Sequence, residues 1–444
     1  MSKRTAPSSA AEDRAFDVQG SEEEFPYHIS YEILDHAPAT SHGTYLEGIQ
    51  DGVEDLERYE AGGYYPMHLG DRLGDSGRYH VIHKLGYGGF STVWLCRDIA
   101  VKIHTADVSV QDLPDLGLVD LDKYVAGAEY INTPWDHFLL EGPNGTHQCL
   151  VFTLLGPRVS PSIWVEMEDP GPTLRKMCKQ TAQALAFLHQ NGICHGDFRP
   201  ANILIKLANL NHEILSLLGA PEQSEVLTES GEDPPPTVPK YLVPSAELTD
   251  LSTKFMTDQI CIIDFGESFP ISSPPKELGI PENYLPPEVI LEDKNSIGPA
   301  CDLWALGCTF FEIRRQTPLF YMINDRDELL AEMVGFFGKL PDGLWERWDA
   351  RGDYFDEDGK RIEIEGQEQD EPFTLEVALN QELESWEYGK KEEKKVLVFP
   401  AEEQRLCRDL LAKLFSYTPG ERLSAEDTLQ HDWFKSWSQD LITF

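Results

Sequence analysis

The sequence predicts an α+β fold, strand-rich in its earlier part and mostly helical after it. Three observations carry this. Residues 78–155 hold short runs of alternating apolar and polar side chains broken by glycines, as half-buried strands do. From Thr173 the apolar residues fall instead at helical spacing, at Leu174, Met177, Leu185 and Leu188 with Thr181 between them. The chain is also 444 residues long, enough for two or three domain-sized units with a substantial core.

The charge balance narrows the partners. A net charge of −40 disfavours nucleic acid and anionic membrane and favours basic partners, although solubility alone accounts for acidity equally well. Eight cysteines lie scattered without a C-x-x-C pair, which speaks against a disulfide framework or zinc site and for a reduced compartment. The first residues, MSKRTAPSSAAEDR, contain no apolar signal-like core, and no run reaches membrane-spanning length. A soluble, monomeric protein of cytoplasm and nucleus is expected.

Taken in order, residues 1–24 are small, polar and charged, the composition of a disordered tail. Residues 25–77 gain aromatics and glycines and are expected to pack as a lead-in on the first lobe, residues 78–155. Residues 78–98 read as a hairpin around Gly86, Gly88 and Gly89, where the missing Cβ atoms allow close approach of a phosphate; a plain turn fits the same residues. A short apolar strand with one lysine, Lys102, follows, and a strand lysine that merely snorkels is the alternative. Residues 147–156 form an apolar strand running into a glycine, the expected connection to the second lobe, residues 156–437.

The helix over residues 173–191 ends at Asn191-Gly192 and delivers ICHGDFRPANIL, residues 193–204. Here Asp197 precedes Asn202 by five residues with Arg199 between them. Phosphoryl transfer calls for this set: an acid to accept a hydroxyl proton, a cation to balance phosphate charge, and an amide oxygen to help hold Mg²⁺. Residues 207–257 are polar, acidic and proline-bearing, the composition of an inserted spacer. An apolar strand over 259–263 then delivers Asp264-Phe265-Gly266, an acid well placed to chelate Mg²⁺. Residues 342–403 form a second, acidic insertion, which reads either as solvated charge or as a docking surface for a basic substrate.

The motifs in this order resemble those of protein kinases. His195, Asp197 and Asn202 match the loop written H-R-D-x-x-x-x-N, and the hairpin matches G-x-G-x-x-G with Ser91 in the last position. The resemblance implies the two-lobed protein kinase fold, with ATP and Mg²⁺ as nucleotide and cofactor. It implies that Leu85, Gly86, Tyr87, Gly88, Gly89, Ser91, Val93, Ala100, Lys102, Phe152 and Leu155 surround ATP, with Phe152 guarding the adenine pocket. Asp197, Arg199 and Lys102 would be catalytic, and Asn202 and Asp264 would hold the metal. Pro286-Pro287-Glu288 resembles A-P-E, so Glu288 would pair with Arg422, and Asp302 would brace the catalytic loop. The helix that normally offers an acid to the lysine is interrupted by Pro114 and Gly117; Asp115 stands at a plausible offset.

Within the kinases the chain, over residues 53–434, is most similar to the SR-protein kinases, which phosphorylate Arg-Ser repeats of splicing factors. DLERYEAGGYYPMHLGD, LGYGGFSTVWLCRD and EGPNGTHQCLVF resemble that family's lead-in, glycine loop and run into the hinge, and the spacer sits where the family's does. HGDFRP and IDFGESF resemble divergent, fungal members. The resemblance implies a serine/threonine kinase acting on basic Arg-Ser-rich proteins, which an acidic surface would attract and steer. A pseudokinase scaffold, or a kinase with another substrate class, is the alternative. Gly196 stands where many kinases carry an Arg that grips a phosphorylated activation loop, which suggests activity without that phosphorylation.

Overall fold

The computed structural model describes residues 39–47, 51–108, 116–208, 218–248, 255–292, 296–362, 373–384 and 395–435. The lead-in contributes strands β1 (Thr44–Leu46) and β2 (Arg72–Leu73), and β2 pairs with β3 (Tyr79–His80) at the start of the first lobe. Then come β4 (His83–Gly88), β5 (Ser91–Cys96), β6 (Ile99–His104), β7 (Asp136–Gly142) and β8 (Gly145–Thr153). These five make one antiparallel sheet in the order β4-β5-β6-β8-β7. Period-two alternation sorts its side chains. Trp94, Val101, Ile103, Cys149 and Val151 bury against Met67 and Leu73 of the lead-in and against Val81, and Ala100 and Lys102 point to the other face.

Between β6 and β7 the described residues form no α-helix. Short 3₁₀ turns at Leu118–Asp120 and Ala128–Tyr130 take its place, and Gly117 adopts a left-handed φ of 58° that helical backbone does not tolerate. Asp115, the candidate partner of Lys102, lies outside the described residues.

The second lobe begins with β9 (Leu155–Arg158) and helix α1 (Pro170–Gln190), whose first residue is a proline, tolerated because its N–H would be unpaired there anyway. Two short strands follow, β10 (Ile193–Cys194) and β11 (Ile203–Leu207). The spacer is more than a linker, since β12 (Ser224–Thr228) and β13 (Tyr241–Leu242) extend β1 into a three-stranded sheet ordered β1-β12-β13. Val226, Val238 and Leu242 there share a core with Leu46, Tyr59 and Tyr64. Apolar positions inside a polar stretch thus find partners in the lead-in, which composition alone does not reveal.

Strands β14 (Met256–Ile262) and β15 (Phe269–Pro270) pair with β11 and β10. Helices α2 (Pro299–Arg315), α3 (Arg326–Phe337) and α4 (Ala401–Leu414) complete the lobe, and α1 packs on α2 within its large core. Trp304 is wholly buried, edge-on to Phe415 at 5.0 Å and Phe337 at 5.8 Å. No helix among the described residues is long and apolar enough to cross a membrane. All eight cysteines are buried and unpaired, and burial raises every thiol above its usual range, which keeps it protonated and unreactive.

Candidate active site

Strand pairing brings the acid-bearing segments together. β11 and β14 run antiparallel with Ile203 opposite Ile262, so Asn202 and Asp264 emerge at the same end of the sheet. The Ile263 N–H donates to the Asn202 carbonyl at 2.9 Å and locks that juxtaposition. Asp264 itself has a left-handed φ of 60°, a strained backbone held by its surroundings.

Asn202 donates from its side-chain amide to the Asp197 carbonyl at 2.9 Å and to the Asp197 carboxylate at 2.7 Å. With Nδ2 turned to Asp197, Asn202 Oδ1 has no protein partner among the described residues. Beside the Asp264 carboxylate it offers the hard oxygen donors that suit Mg²⁺, so the residues fit that ion. Arg199 Nε donates to the other Asp197 oxygen at 2.8 Å, so the acid and the cation of the loop form a partly buried pair.

The loop hangs from Asp302, near the start of α2. Its carboxylate accepts from the His195 N–H at 2.9 Å, the Gly196 N–H at 3.0 Å and His189 Nε2 at 2.9 Å. His189, Cys194 and Asp302 lie close enough to suggest a metal cluster. These three donors already occupy the Asp302 oxygens, and the group acts as a brace. The His195 ring stacks tilted on Phe265 at 5.1 Å and meets Phe198 at 5.4 Å. Gly196 has φ 82°, and a Cβ there would lie 2.1 Å from the Glu267 carbonyl, so no side chain fits. The absence of an arginine at this position therefore has a steric cause.

On the opposite wall, Lys102 extends from β6, and its ammonium donates to Asp264 Oδ1 at 2.8 Å. Among the described residues Asp264 is the acid on this lysine. The Glu129 carboxylate accepts instead from the Gly127 N–H at 2.7 Å. Burial raises the Asp264 carboxyl, but the adjacent Lys102 cation and its hydrogen bond outweigh this and hold it below the usual carboxylate range.

Leu85, Gly86, Tyr87, Gly88, Gly89, Ser91 and Val93 lie on the β4–β5 hairpin, and Gly86, Gly88 and Gly89 have open space where a Cβ would stand. Ala100 pairs with Phe152 across β6 and β8, and Leu155 opens β9 just beyond, so the expected nucleotide residues share one wall. Glu288 and Arg422 meet far below in a buried, two-pronged ion pair at 2.6 and 2.8 Å. Arg422 also donates to the Ala300 carbonyl at 2.9 Å and lies over the Trp304 ring.

Sequence reasoning missed the contacts that the lead-in makes with the hairpin. Tyr64 donates to the Gly88 carbonyl and Arg58 to the Gly89 carbonyl, each at 2.8 Å. Lys84 of β4 is fully buried in an ion pair with Glu54, whose carboxylate also accepts from the Tyr59 hydroxyl. The run of aromatics around Gly62-Gly63 is the signal that something buried lay there.

Residues 248–434 match the protein kinase domain family. The chain is 27% identical to the serine/threonine-protein kinase SRPK of Physarum polycephalum, across 88% of this chain and 92% of that one. It is 35% identical to SRSF protein kinase 3 of Mus musculus over 38% of this chain. It is 33% identical to protein kinase dsk1 of Schizosaccharomyces pombe over 36% of this chain. These two alignments span 33% and 32% of the relatives' own lengths, about a third of each.

Proposed function

We propose that the chain is a protein kinase of the SR-protein kinase family, and that it transfers the γ-phosphoryl group of ATP to serines of Arg-Ser-rich proteins that act in mRNA splicing. One observation carries the reading: Asp197, Asn202 and Asp264 converge at one end of a sheet, opposite Lys102. In this reading Asp197 orients the acceptor hydroxyl and takes its proton. Asn202 holds Asp197 in place through its amide, and Arg199 passes from Asp197 to the transferring phosphoryl group. Lys102 and the glycine turn position the triphosphate. Asn202 and Asp264 would hold Mg²⁺, which supplies charge neutralisation along the phosphates. The deciding experiment is Mg·ATP-dependent transfer of radiolabelled phosphate to an Arg-Ser peptide. Transfer that disappears in Asp197→Ala supports the reading, and absence of transfer by the native chain favours a scaffold.

The substrate class draws support from exposed acids after α3. Asp342, Glu346, Asp349, Asp353, Asp356 and Asp358 are all exposed, a concentration of charge that attracts guanidinium groups. Reversing these charges is expected to raise KM for an Arg-Ser peptide at low salt, and an unchanged KM removes this region from docking. Activity without activation-loop phosphorylation goes with the reading too. The segment after Asp264 is tied down by the chain itself: Ser268 Oγ donates to the His195 carbonyl at 2.6 Å and the Ile271 N–H to the Gly192 carbonyl at 2.8 Å. Phosphatase treatment should leave the rate unchanged. A cytoplasmic and nuclear setting, where unpaired thiols stay reduced, completes the proposal.

A further inference from the structure

We infer that Arg58 and Tyr64 are positioning residues for the nucleotide, gripping the glycine turn by its carbonyls so that its N–H groups face the triphosphate. The inference rests on the kinase reading above and assigns to the lead-in a part in ATP binding.

Three successive carbonyls of the turn are held by partners outside it. The Gly88 carbonyl accepts from the Tyr64 hydroxyl at 2.8 Å, and the Gly89 carbonyl from Arg58 Nη1 at 2.8 Å. The Phe90 carbonyl accepts from the Thr105 N–H at 3.0 Å, just past β6. In a planar trans peptide the N–H lies opposite the preceding carbonyl. Turning the Gly88 and Gly89 carbonyls to the lead-in therefore turns the Gly89 and Phe90 N–H groups away from it. The lead-in covers the sheet face that buries Trp94 and Val101, and Lys102 stands on the other. The freed N–H groups thus face the side on which Lys102 and Asp264 meet, where phosphate oxygens are to be bound.

The grip has its own foundation. Gly62 has φ 89°, and a Cβ on Gly63 would lie 1.8 Å from the Arg58 carbonyl, so only a Gly-Gly pair allows the fold-back that sets Arg58 beside Tyr64. The Tyr64 N–H closes that turn on the Arg58 carbonyl at 2.9 Å, and the guanidinium lies over the Tyr64 ring at 5.5 Å. Asn144 at the β7–β8 turn donates to the Tyr64 carbonyl at 2.7 Å and to Thr237 of the spacer at 2.8 Å. The Glu54–Lys84 pair fastens the same segment to β4, two residues before Gly86. Three glycines give the turn great backbone freedom, and an external hold lowers the entropy lost when the triphosphate is bound.

The test compares a ligand with phosphates to one without. Tyr64→Phe keeps the buried ring and deletes one hydroxyl, and Arg58→Gln removes the guanidinium from a half-exposed site. Calorimetric titration of the full chain with Mg·ATP and with adenosine is expected to show ATP affinity falling about three- to tenfold in each variant, with adenosine affinity unchanged. KM for the peptide should also hold. Unchanged ATP affinity in both variants overturns the inference and leaves the kinase reading intact, as does parallel weakening of ATP and adenosine, which marks a loosened lobe. A native chain that fails to bind Mg·ATP overturns the kinase reading, and this inference with it. Should Tyr64→Phe not fold, Arg58→Gln alone decides.

Discussion

Below the cleft the catalytic loop hangs from a single buried carboxylate, Asp302, which takes two backbone N–H groups and the His189 imidazole. Above it the glycine turn is held through its carbonyls by Tyr64 and the partly exposed Arg58, side chains from a segment that precedes the first lobe. The lower wall is fixed from inside the core and the upper wall from outside the sheet. The difference follows from what each must do: the loop must keep an acid in one place, and the turn must close on a ligand and release it. A helix-borne acid for Lys102 is not found among the described residues, and Asp264 meets that lysine from the lower wall, so one ion pair bridges the two.

Breaking the lower wall at its chemical centre should have the largest effect. Asp197→Ala is expected to lower kcat by about 10²–10⁴-fold with the thermal midpoint preserved, read by labelled phosphate transfer beside calorimetry. If the midpoint collapses as well, Asp197 is structural. The upper wall breaks most severely at its foundation. Lys84→Met strands the Glu54 carboxylate in a site with no solvent access, and a loss of about 3–5 kcal/mol in urea unfolding is expected. A loss below about 1 kcal/mol would mean that water reaches the pair.

A sharper contrast comes from Asp302→Asn, which weakens the acceptor for the His195 and Gly196 N–H groups. It should cost about 1–3 kcal/mol and lower kcat while KM for ATP holds, the reverse of the Arg58 and Tyr64 variants. Equal effects on both parameters would mean that the two walls are coupled.

The mildest test concerns pH. His104, at the end of β6, is buried with neither ring nitrogen paired among the described residues. Burial, and then the Lys102 cation, lowers its pKa to about 4. An unfolded imidazole titrates at about 6.5, so between these values the unfolded chain binds a proton that the native chain refuses. Its contribution is present above about pH 6.5 and is lost as pH falls, the loss reaching about 2 kcal/mol near pH 5. His104→Leu should flatten that part of the stability profile. An unaltered slope would move the acid sensitivity elsewhere.

What the sequence determined by itself was chemical identity and whatever is local. Asp197 and Asn202 stand five residues apart, within reach of one loop, and their hydrogen bond follows from that spacing. Alternation placed β4 to β6, and helical spacing placed α1, because burial of one face is written in the periodicity of each segment. The pairing of Glu288 with Arg422 was legible only through family resemblance. Tertiary structure alone decided that Lys102 meets an acid 162 residues away, that Asp302 reaches back 107 residues to His195, and that the spacer adds strands to the lead-in. Such contacts depend on which surfaces remain unpartnered once the local elements have formed. A carboxylate or a strand edge then pairs with whatever the packed core brings within reach, and no local pattern records which partner that is.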